Sequence, residues 1–195
     1  MKAERIKVQS VEIEDTGGEA FLVRLGSLVG LTRPEKEALR LALGPRRHVA
    51  AHEDVLKPGS ACAGAVVILA GAACRVAAMS NGRRQITSFL LPGDVCDFKF
   101  LTHGTIDQGV RALSPVLVAG ITHNRLNEIG ERYPHIVQAL LTASSIEDAI
   151  TRQWLISLGQ RSAVQRLAHL FCELHTRLDV VGLVDRGGFH LPMTQ

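Results

Sequence analysis

The sequence predicts an α+β fold in which a small antiparallel β-roll, or jelly roll, is followed by a long helix and a shorter one. Residues 46–121 alternate short apolar runs with turn signals, and this spacing predicts about eight short strands. Residues 135–158 contain neither proline nor glycine, which predicts one long helix. Residues 163–178 carry apolar side chains on one helical face, which predicts a second, amphipathic helix.

Two helices are predicted to flank the roll, after a loose N-terminal arm. Residues 1–18 have no apolar periodicity and end in two glycines, so they predict a flexible arm. Thr32, Pro34 and Glu35 form the capping box of a helix that ends before Gly44-Pro45. Thr122 can cap a short helix that ends before Pro134.

Turn residues divide the predicted roll into strands. Asn81-Gly82 lies between CRVAAMS and RRQITSFLL, and both residues tolerate positive φ, so a hairpin is predicted there. Gly71 interrupts the apolar segment SACAGAVVILAGAACRVAAMS, which meets Arg75 before reaching the ~20 residues of a spanning helix. The segment therefore predicts two short buried strands and no membrane span.

The long helix carries an apolar stripe that needs a partner. The stripe is a heptad-like seam, broken at Glu147, formed by Ile136, Leu140, Ala143, Ile150 and Trp154. A second copy of the same helix is the simplest way to bury it, so we predict a homodimer. The alternative is that the stripe packs only on its own roll.

Composition excludes several classes of protein and leaves others open. The 195 residues carry a net charge of +3, which is too small to identify a polyanionic partner. The N-terminus has no signal-peptide pattern, and the four cysteines form no CxxC pair. These observations predict a cytoplasmic protein with unpaired thiols and no contact with a membrane.

The residues carry no convincing catalytic or metal-binding pattern. Jelly rolls also host cupin-type metal enzymes, but His-x-His occurs nowhere in this chain, and neither does a Walker loop or Gly-x-Ser-x-Gly. His169, Cys172 and His175 drift around their helix, and Cys96 with His103 would supply only two ligands. We predict no enzyme and no metal site, and leave a redox role for Cys96 as a hypothesis.

The order of several short motifs resembles that of the Crp/Fnr family of bacterial transcription regulators, the class of the cyclic-AMP receptor protein. The resemblance covers about residues 20–195 and rests on these segments: Lys57-Pro58-Gly59, Gly71, Asn81-Gly82-Arg83, Phe89-Leu90-Leu91-Pro92-Gly93-Asp94, Val110-Arg111-Ala112-Leu113, Arg132-Tyr133-Pro134, Gly159-Gln160-Arg161-Ser162-Ala163 and Arg166-Leu167-Ala168.

The resemblance implies a dimer that senses an effector in the roll and relays it to a C-terminal winged helix-turn-helix that reads promoter DNA. Thr194 and Gln195 then lie where the helix-turn-helix begins and would approach DNA phosphates, and the recognition helix would follow them. The implied divisions are an arm (1–18), a sensor β-roll with flanking helices (19–133), a dimerisation helix (134–158) and the first part of the DNA-binding domain (159–195).

The resemblance also indicates where the residues of an effector site would lie. Relatives that bind cyclic AMP hold its phosphate with an Arg-Ser/Thr segment just before Val-Arg-Ala, where this chain has Ile106 and Asp107. We therefore expect no cyclic AMP and no other cofactor, and an unknown small-molecule effector. The candidate pocket residues are Gly93, Asp94, Cys96, Lys99, Asp107 and Arg111.

Two other sensing mechanisms of the family find no support in the residues. Relatives with an iron–sulfur cluster use several N-terminal cysteines, and residues 1–61 have none. Haem-binding relatives pair a cysteine of the roll with a nearby histidine, but Cys74 is followed by Arg75 and Val76.

The alternative function is a stand-alone dimeric module that binds a ligand or a protein and does not bind DNA.

Overall fold

A computed structural model describes residues 18–102 and 104–190 of the chain. The predicted capping box is present, because the Thr32 backbone N–H donates to Glu35 Oε2 at 2.8 Å. The α-helices are α1 (Glu19–Val29), α2 (Arg33–Ala42), α3 (His123–Arg132), α4 (Pro134–Gln160) and α5 (Ala163–Asp179). The strands are β1 (Arg46–Val49), β2 (Asp54–Leu56), β3 (Gly64–Ala70), β4 (Ala73–Ala78), β5 (Arg84–Leu90), β6 (Gly109–Ala112) and β7 (Val116–Thr122).

The strands form two antiparallel sheets, as the prediction of a β-roll requires. One sheet has the order β1-β7-β3 and the other β2-β6-β4-β5. Seven strands are found within the described residues, where the sequence predicted about eight; Ala61–Thr105 and Val67–Val95 form only isolated bridges. The space between the sheets is filled by a core cluster of Val49, Val55, Ile68, Ala73, Leu90, Cys96, Val110, Ala112, Val116 and Val118.

Two glycines explain why the predicted turns occur where they do. Gly82 has φ +78° in the turn between β4 and β5, which confirms the predicted hairpin. Gly71 has φ +83°, and a Cβ there would lie 2.2 Å from the backbone oxygen of Pro115. This turn sends β3 and β4 into different sheets, so the apolar segment forms two strands, as predicted.

The helices at the ends of the roll pack on the outer face of the three-stranded sheet. Phe21, Leu22 and Leu25 of α1 are fully or almost fully buried against residues of β3 and β7. The first turns of α4 enter the same cluster through Ile136, Ala139 and Leu140. Helix α1 was not predicted, because Gly18 at its N-cap provides no side-chain capping signal.

Helix α5 packs on the outer face of the four-stranded sheet. Leu174 and Leu178 are buried in a cluster with Cys74, Phe89 and Leu91. Because side chains alternate between the two faces of a strand, Phe89 points to α5 while Leu90 points into the roll. None of the described helices has the length and apolar character needed to cross a membrane.

Candidate functional site

The turn after β5 brings the sensor roll into contact with both α1 and α5. Gly93 has φ +92°, and a Cβ there would lie 2.7 Å from the backbone oxygen of Ala20 in α1. A glycine is therefore required for this close approach. The following residue, Asp94, accepts a hydrogen bond from the Leu91 backbone N–H at 2.7 Å, which fixes its carboxylate in the turn.

Asp94 is the centre of a largely buried group of charges, which we call the ionic cluster: Arg24 of α1, Asp94 of the turn, and Glu173 and Arg177 of α5. Arg24 Nε lies 3.1 Å from Asp94 Oδ1, and Arg177 Nη2 is hydrogen-bonded to Asp94 Oδ2. Arg177 Nη1 donates to Glu173 Oε1 at 2.8 Å. The four side chains are only 10–15% exposed, so solvent screens their interactions weakly.

Backbone carbonyls complete the cluster and connect its three elements. Arg24 Nη2 donates to the oxygens of Pro92 and Arg177, at 3.2 and 3.0 Å. Arg177 Nη2 also donates to the oxygen of Phe89 at 2.9 Å. The N-terminal helix, the turn and α5 are therefore joined by two guanidinium groups that share one carboxylate.

The charges of the cluster have opposite effects on its two arginines. Burial lowers the pKa of Arg24, and the nearby Arg177 lowers it further, although Asp94 opposes both effects. Burial also disfavours the charge of Arg177, but Asp94 and Glu173 more than compensate and raise the pKa of Arg177. The stability of the cluster thus depends on the Asp94 carboxylate, because without it two buried cations would face each other.

An aromatic contact extends the cluster to the C-terminal half of α4. The Trp154 indole N–H donates to Glu173 Oε2 at 2.7 Å, and the Trp154 ring lies 5.9 Å from the ring of Phe89. The only tryptophan of the chain therefore contacts both the roll and α5. It is a natural spectroscopic reporter of this contact.

A second ion pair joins the roll to the middle of α4. Arg75 of β4 bonds to Glu147, and its Nη2 donates to the backbone oxygen of Cys96 at 2.8 Å. Burial raises the pKa of Glu147, and Arg75 opposes that rise. Glu147, the residue at which the predicted apolar seam of α4 is broken, is the acidic member of this ion pair with Arg75.

A cavity of about 230 Å³ lies between the turn, α1, α4 and α5. Its lining is mostly apolar, with the two arginines of the ionic cluster on one side and Glu147 on another. The main apolar lining residues are Leu25, Leu28, Leu90, Val95, Phe98, Ala143, Ile146, Ile150 and Val180. A ligand in this cavity would touch the sensor roll, the long helix and α5 at once.

The predicted pocket residues do not gather at one place. Gly93 and Asp94 belong to the turn and line the cavity, whereas Cys96 is fully buried between the sheets. Lys99 and Asp107 form a surface pair with 3.8 Å between Nζ and Oδ2. Arg111 lies on β6 beside Cys74, where its charge slightly opposes the rise that burial causes in the pKa of the Cys74 thiol.

The arrangement does not fit a cyclic nucleotide held in the manner of the cyclic-AMP receptor proteins. Ile106, at the position where those proteins have arginine, is 2% exposed and hydrogen-bonds through its backbone to Gly59 and Ser60. Asp107 would present a carboxylate to the cyclic phosphate, which is repulsive. The guanidinium groups of the ionic cluster are already bonded to Asp94, so they do not replace the missing arginine.

The structure corrects the N-terminal end of the predicted dimer seam. Ile136 and Leu140 are 0% and 4% exposed in a single protomer, because they pack on the core that α1 shares with the roll. Ala143 and Ile150 line the cavity, and Trp154 contacts Glu173. The apolar side chains that α4 exposes are others: Val137, Leu141, Ile146, Leu155, Ile156 and Leu158. A homodimer stays a prediction.

The remaining predictions concern metals, thiols and DNA. Cys96 is an unfavourable redox centre, because complete burial raises the pKa of its thiol. Among residues 18–102 and 104–190, no three potential ligands form a group that could hold a metal ion. His103, Thr194 and Gln195 lie outside the described residues.

Sequence reasoning missed the residues that connect the roll to the helices. Arg24, Arg75, Glu173 and Arg177 were not predicted. The i, i+4 spacing of Glu173 and Arg177 was visible and predicts an ion pair on a helix surface. Their contact with Asp94 had no such signal, since Arg177 and Asp94 are 83 positions apart.

Comparison with known proteins agrees with this architecture. The family described as "Cyclic nucleotide-binding domain" matches residues 46–133. The transcriptional activator protein FnrL of Cereibacter sphaeroides is 28% identical over 131 residues, which are 66% of this chain and 52% of that protein. The anaerobic regulatory protein of Haemophilus influenzae is 26% identical over 165 residues, which are 85% of this chain and 64% of that protein. This chain thus spans between half and two thirds of their lengths.

Among solved structures, FixK2 of Bradyrhizobium japonicum has the same fold, with a TM-score of 0.65 and 22% identity over 77% of this chain and 72% of that one. Residues 46–133 are therefore similar to a cyclic nucleotide-binding domain, and the roll with its helices has that fold. Together with the order of the segments that follow the roll, these similarities support the resemblance to the Crp/Fnr family.

Proposed function

We propose that the chain is the sensor and relay portion of a DNA-binding transcription regulator of the Crp/Fnr type. Two of its relatives carry the names of a transcriptional activator and an anaerobic regulator, and the second matches 165 residues, which is more than residues 46–133 of the roll alone. Promoter DNA and a second copy of the chain are its proposed partners, and an unidentified small molecule its effector. We propose no catalytic role, since the relatives are named as regulators.

The observation that carries the proposed relay is the contact of Asp94 with Arg177. Asp94 follows β5 at the edge of the sensor roll, and Arg177 lies on α5, the helix that leads into the proposed DNA-binding region. A change of the turn that moves Asp94 alters the position of Arg177, and with it the orientation of α5. Charges in a weakly screened site interact strongly. A coupling free energy between two sites is typically about 1–3 kcal/mol, which corresponds to a change in binding affinity of roughly 5–150-fold.

The test uses the complete gene product that contains this chain. Its binding to DNA upstream of its own gene is measured by fluorescence anisotropy over a range of salt concentrations, with a scrambled sequence as competitor. We expect sequence-specific binding that weakens with salt, because phosphate contacts release counterions. Binding that does not distinguish the two sequences would contradict the proposal and favour a stand-alone binding module.

The relay is tested in the same assay with Asp94→Asn. This variant should change the DNA affinity at least fivefold when compared at equal folded protein. The matched control is Asp107→Asn, which neutralises a carboxylate that is 61% exposed and should leave the affinity unchanged. Equal affinities of wild type and Asp94→Asn would remove the ionic cluster from the relay.

A further inference from the structure

The polar groups that line the cavity between the turn, α1, α4 and α5 determine which hydrogen-bonding groups a ligand can carry. It is lined mainly by apolar side chains and opens to solvent where Ile146 and Val180 are 43% and 41% exposed. Its volume of about 230 Å³ is larger than the ~150 Å³ in which an apolar protein cavity holds a benzene molecule. At the same volume per atom as benzene has in that cavity, this cavity accommodates about nine non-hydrogen atoms.

The two cations at the cavity are already engaged with protein groups, although the Arg24 Nε–H itself has no hydrogen-bond partner among the described residues. Arg24 contacts Asp94 and donates to two backbone carbonyls, and Arg177 bonds to Asp94, Glu173 and the oxygen of Phe89. An anionic ligand would have to displace Asp94, and it would also approach Glu147, the acidic group on another side of the cavity. Its electrostatic gain would therefore be offset by repulsion and by loss of the buried bonds.

The hydroxyl groups that line the cavity present acceptors. Each already donates its proton to a backbone carbonyl: Ser27 to Arg24 at 2.7 Å, Ser88 to Phe89 at 3.3 Å and Thr176 to Cys172 at 2.9 Å. A hydroxyl has one proton and two lone pairs, so each oxygen keeps the capacity to accept. A donor on a ligand that fits here therefore finds an acceptor among these oxygens.

We propose that this cavity binds a small, uncharged, mainly apolar molecule of about nine non-hydrogen atoms that carries one hydrogen-bond donor, such as a phenol, an indole or an alcohol. Because the ligand would contact the turn, α4 and α5, its binding would favour the arrangement in which Asp94 holds Arg177. This inference deepens the proposed function by assigning the effector a place and a chemical class, and only its regulatory part rests on that function.

Binding is tested on the 195-residue chain by calorimetric titration with three probes of similar size. The probe 4-ethylphenol is neutral and has a donor, ethylbenzene is neutral without one, and 4-methylbenzoate is an anion. We expect saturable binding of 4-ethylphenol, about fivefold weaker binding of ethylbenzene because one hydrogen bond is lost, and no measurable binding of 4-methylbenzoate. No saturable binding of 4-ethylphenol, or tighter binding of 4-methylbenzoate, would overturn the proposal.

Two variants locate the site. Ala143→Leu places three more carbon atoms in the cavity and should weaken 4-ethylphenol at least tenfold, while Ala149→Leu, at an exposed position of the same helix, should have no effect. Ser88→Ala, which removes one acceptor with little change of volume, should reduce the preference for 4-ethylphenol over ethylbenzene. If all variants bind like the wild type, the ligand lies elsewhere and the proposal is wrong.

The test separates the two hypotheses. The titration does not depend on DNA, so its failure leaves the proposed regulator intact. Conversely, a failure of DNA binding in the complete gene product leaves the ligand site standing. The regulatory part is checked by adding 4-ethylphenol to the DNA-binding assay, where it should change the affinity of the wild type and not that of Ala143→Leu.

Discussion

The β-roll is attached to its C-terminal helices in two different ways, and the contrast indicates which attachment is able to move. The start of α4 is held by apolar packing, with Ile136, Ala139 and Leu140 in one core with α1 and the roll. Helix α5 is held by the ionic cluster together with a small apolar contact of Leu174 and Leu178. The first attachment is non-directional, whereas the second depends on three charged elements keeping their exact geometry.

The two attachments also differ in what surrounds them. The apolar attachment lies in a continuous core, but the ionic one borders the cavity and includes a turn with a glycine at positive φ. Buried charges that lose a partner are costly, so a small displacement of Asp94 has a large energetic effect on α5. We infer that the apolar attachment is the fixed part of the molecule and the ionic one the adjustable part.

The largest effect is expected from neutralising the centre of the ionic cluster. Asp94→Asn keeps the acceptor for Leu91 but leaves the guanidinium groups of Arg24 and Arg177 without a counter-charge. We expect a loss of about 3–5 kcal/mol in the free energy of unfolding, measured by urea denaturation. Hydrogen exchange of α5 should increase more than that of β3 and β7.

The matched control for this variant is Lys99→Ala, which removes one member of a surface pair. Lys99 and Asp107 are 44% and 61% exposed, so this substitution should cost no more than about 0.5 kcal/mol. If Asp94→Asn costs as little as Lys99→Ala, the ionic cluster does not hold α5 and the comparison between the attachments fails.

A somewhat smaller effect is expected from the apolar attachment. Ile136→Ala removes a fully buried side chain and should cost about 3 kcal/mol, without selective exposure of α5 in hydrogen exchange. Leu141→Ala, at a position that is 54% exposed, should cost about 0.5 kcal/mol or less if the chain is a monomer. A larger cost that grows with protein concentration would identify the exposed face of α4 as the dimer contact.

The smallest effect is expected in the pH dependence of stability, because Arg75 opposes the burial penalty of Glu147. The pKa of Glu147 is raised in the folded state above its ordinary value of 4.5. As the pH rises, Glu147 therefore loses its proton in the unfolded chain before it does so in the folded protein. The stability that Glu147 contributes is present below pH 4.5 and is lost as the pH rises through the folded pKa. The difference in unfolding free energy between wild type and Glu147→Gln should thus decrease as the pH rises.

The control has the opposite sign. Hydrogen bonds from the backbone and side chain of Thr32 lower the pKa of Glu35 below 4.5. The difference between wild type and Glu35→Gln should therefore increase as the pH rises and be lost at lower pH. Parallel slopes for the two variants would show that Glu147 does not experience the burial that the structure gives it.

The class of fold and the order of its parts could be predicted from the sequence. Local signals were sufficient for the capping box at Thr32, the hairpin at Gly82 and the two strands on either side of Gly71, because each depends on the backbone preferences of adjacent residues. The order of these segments then carried the resemblance to the Crp/Fnr family. The replacement of the phosphate-binding residues by Ile106 and Asp107 was also visible before the structure.

Which face of each helix meets the roll, and which charges meet each other, depends on the tertiary packing and could not be predicted. An apolar stripe on α4 predicts that one face of the helix is buried, but the same pattern fits packing on a partner helix and packing on the protomer's own sheet. Ile136 packs in the core of its own protomer. Arg24, Asp94 and Arg177 come from three distant parts of the chain, and no local periodicity links them. Their contact follows from how the sheets and helices of the described residues pack, because an ion pair depends on distance in space and not on distance in sequence.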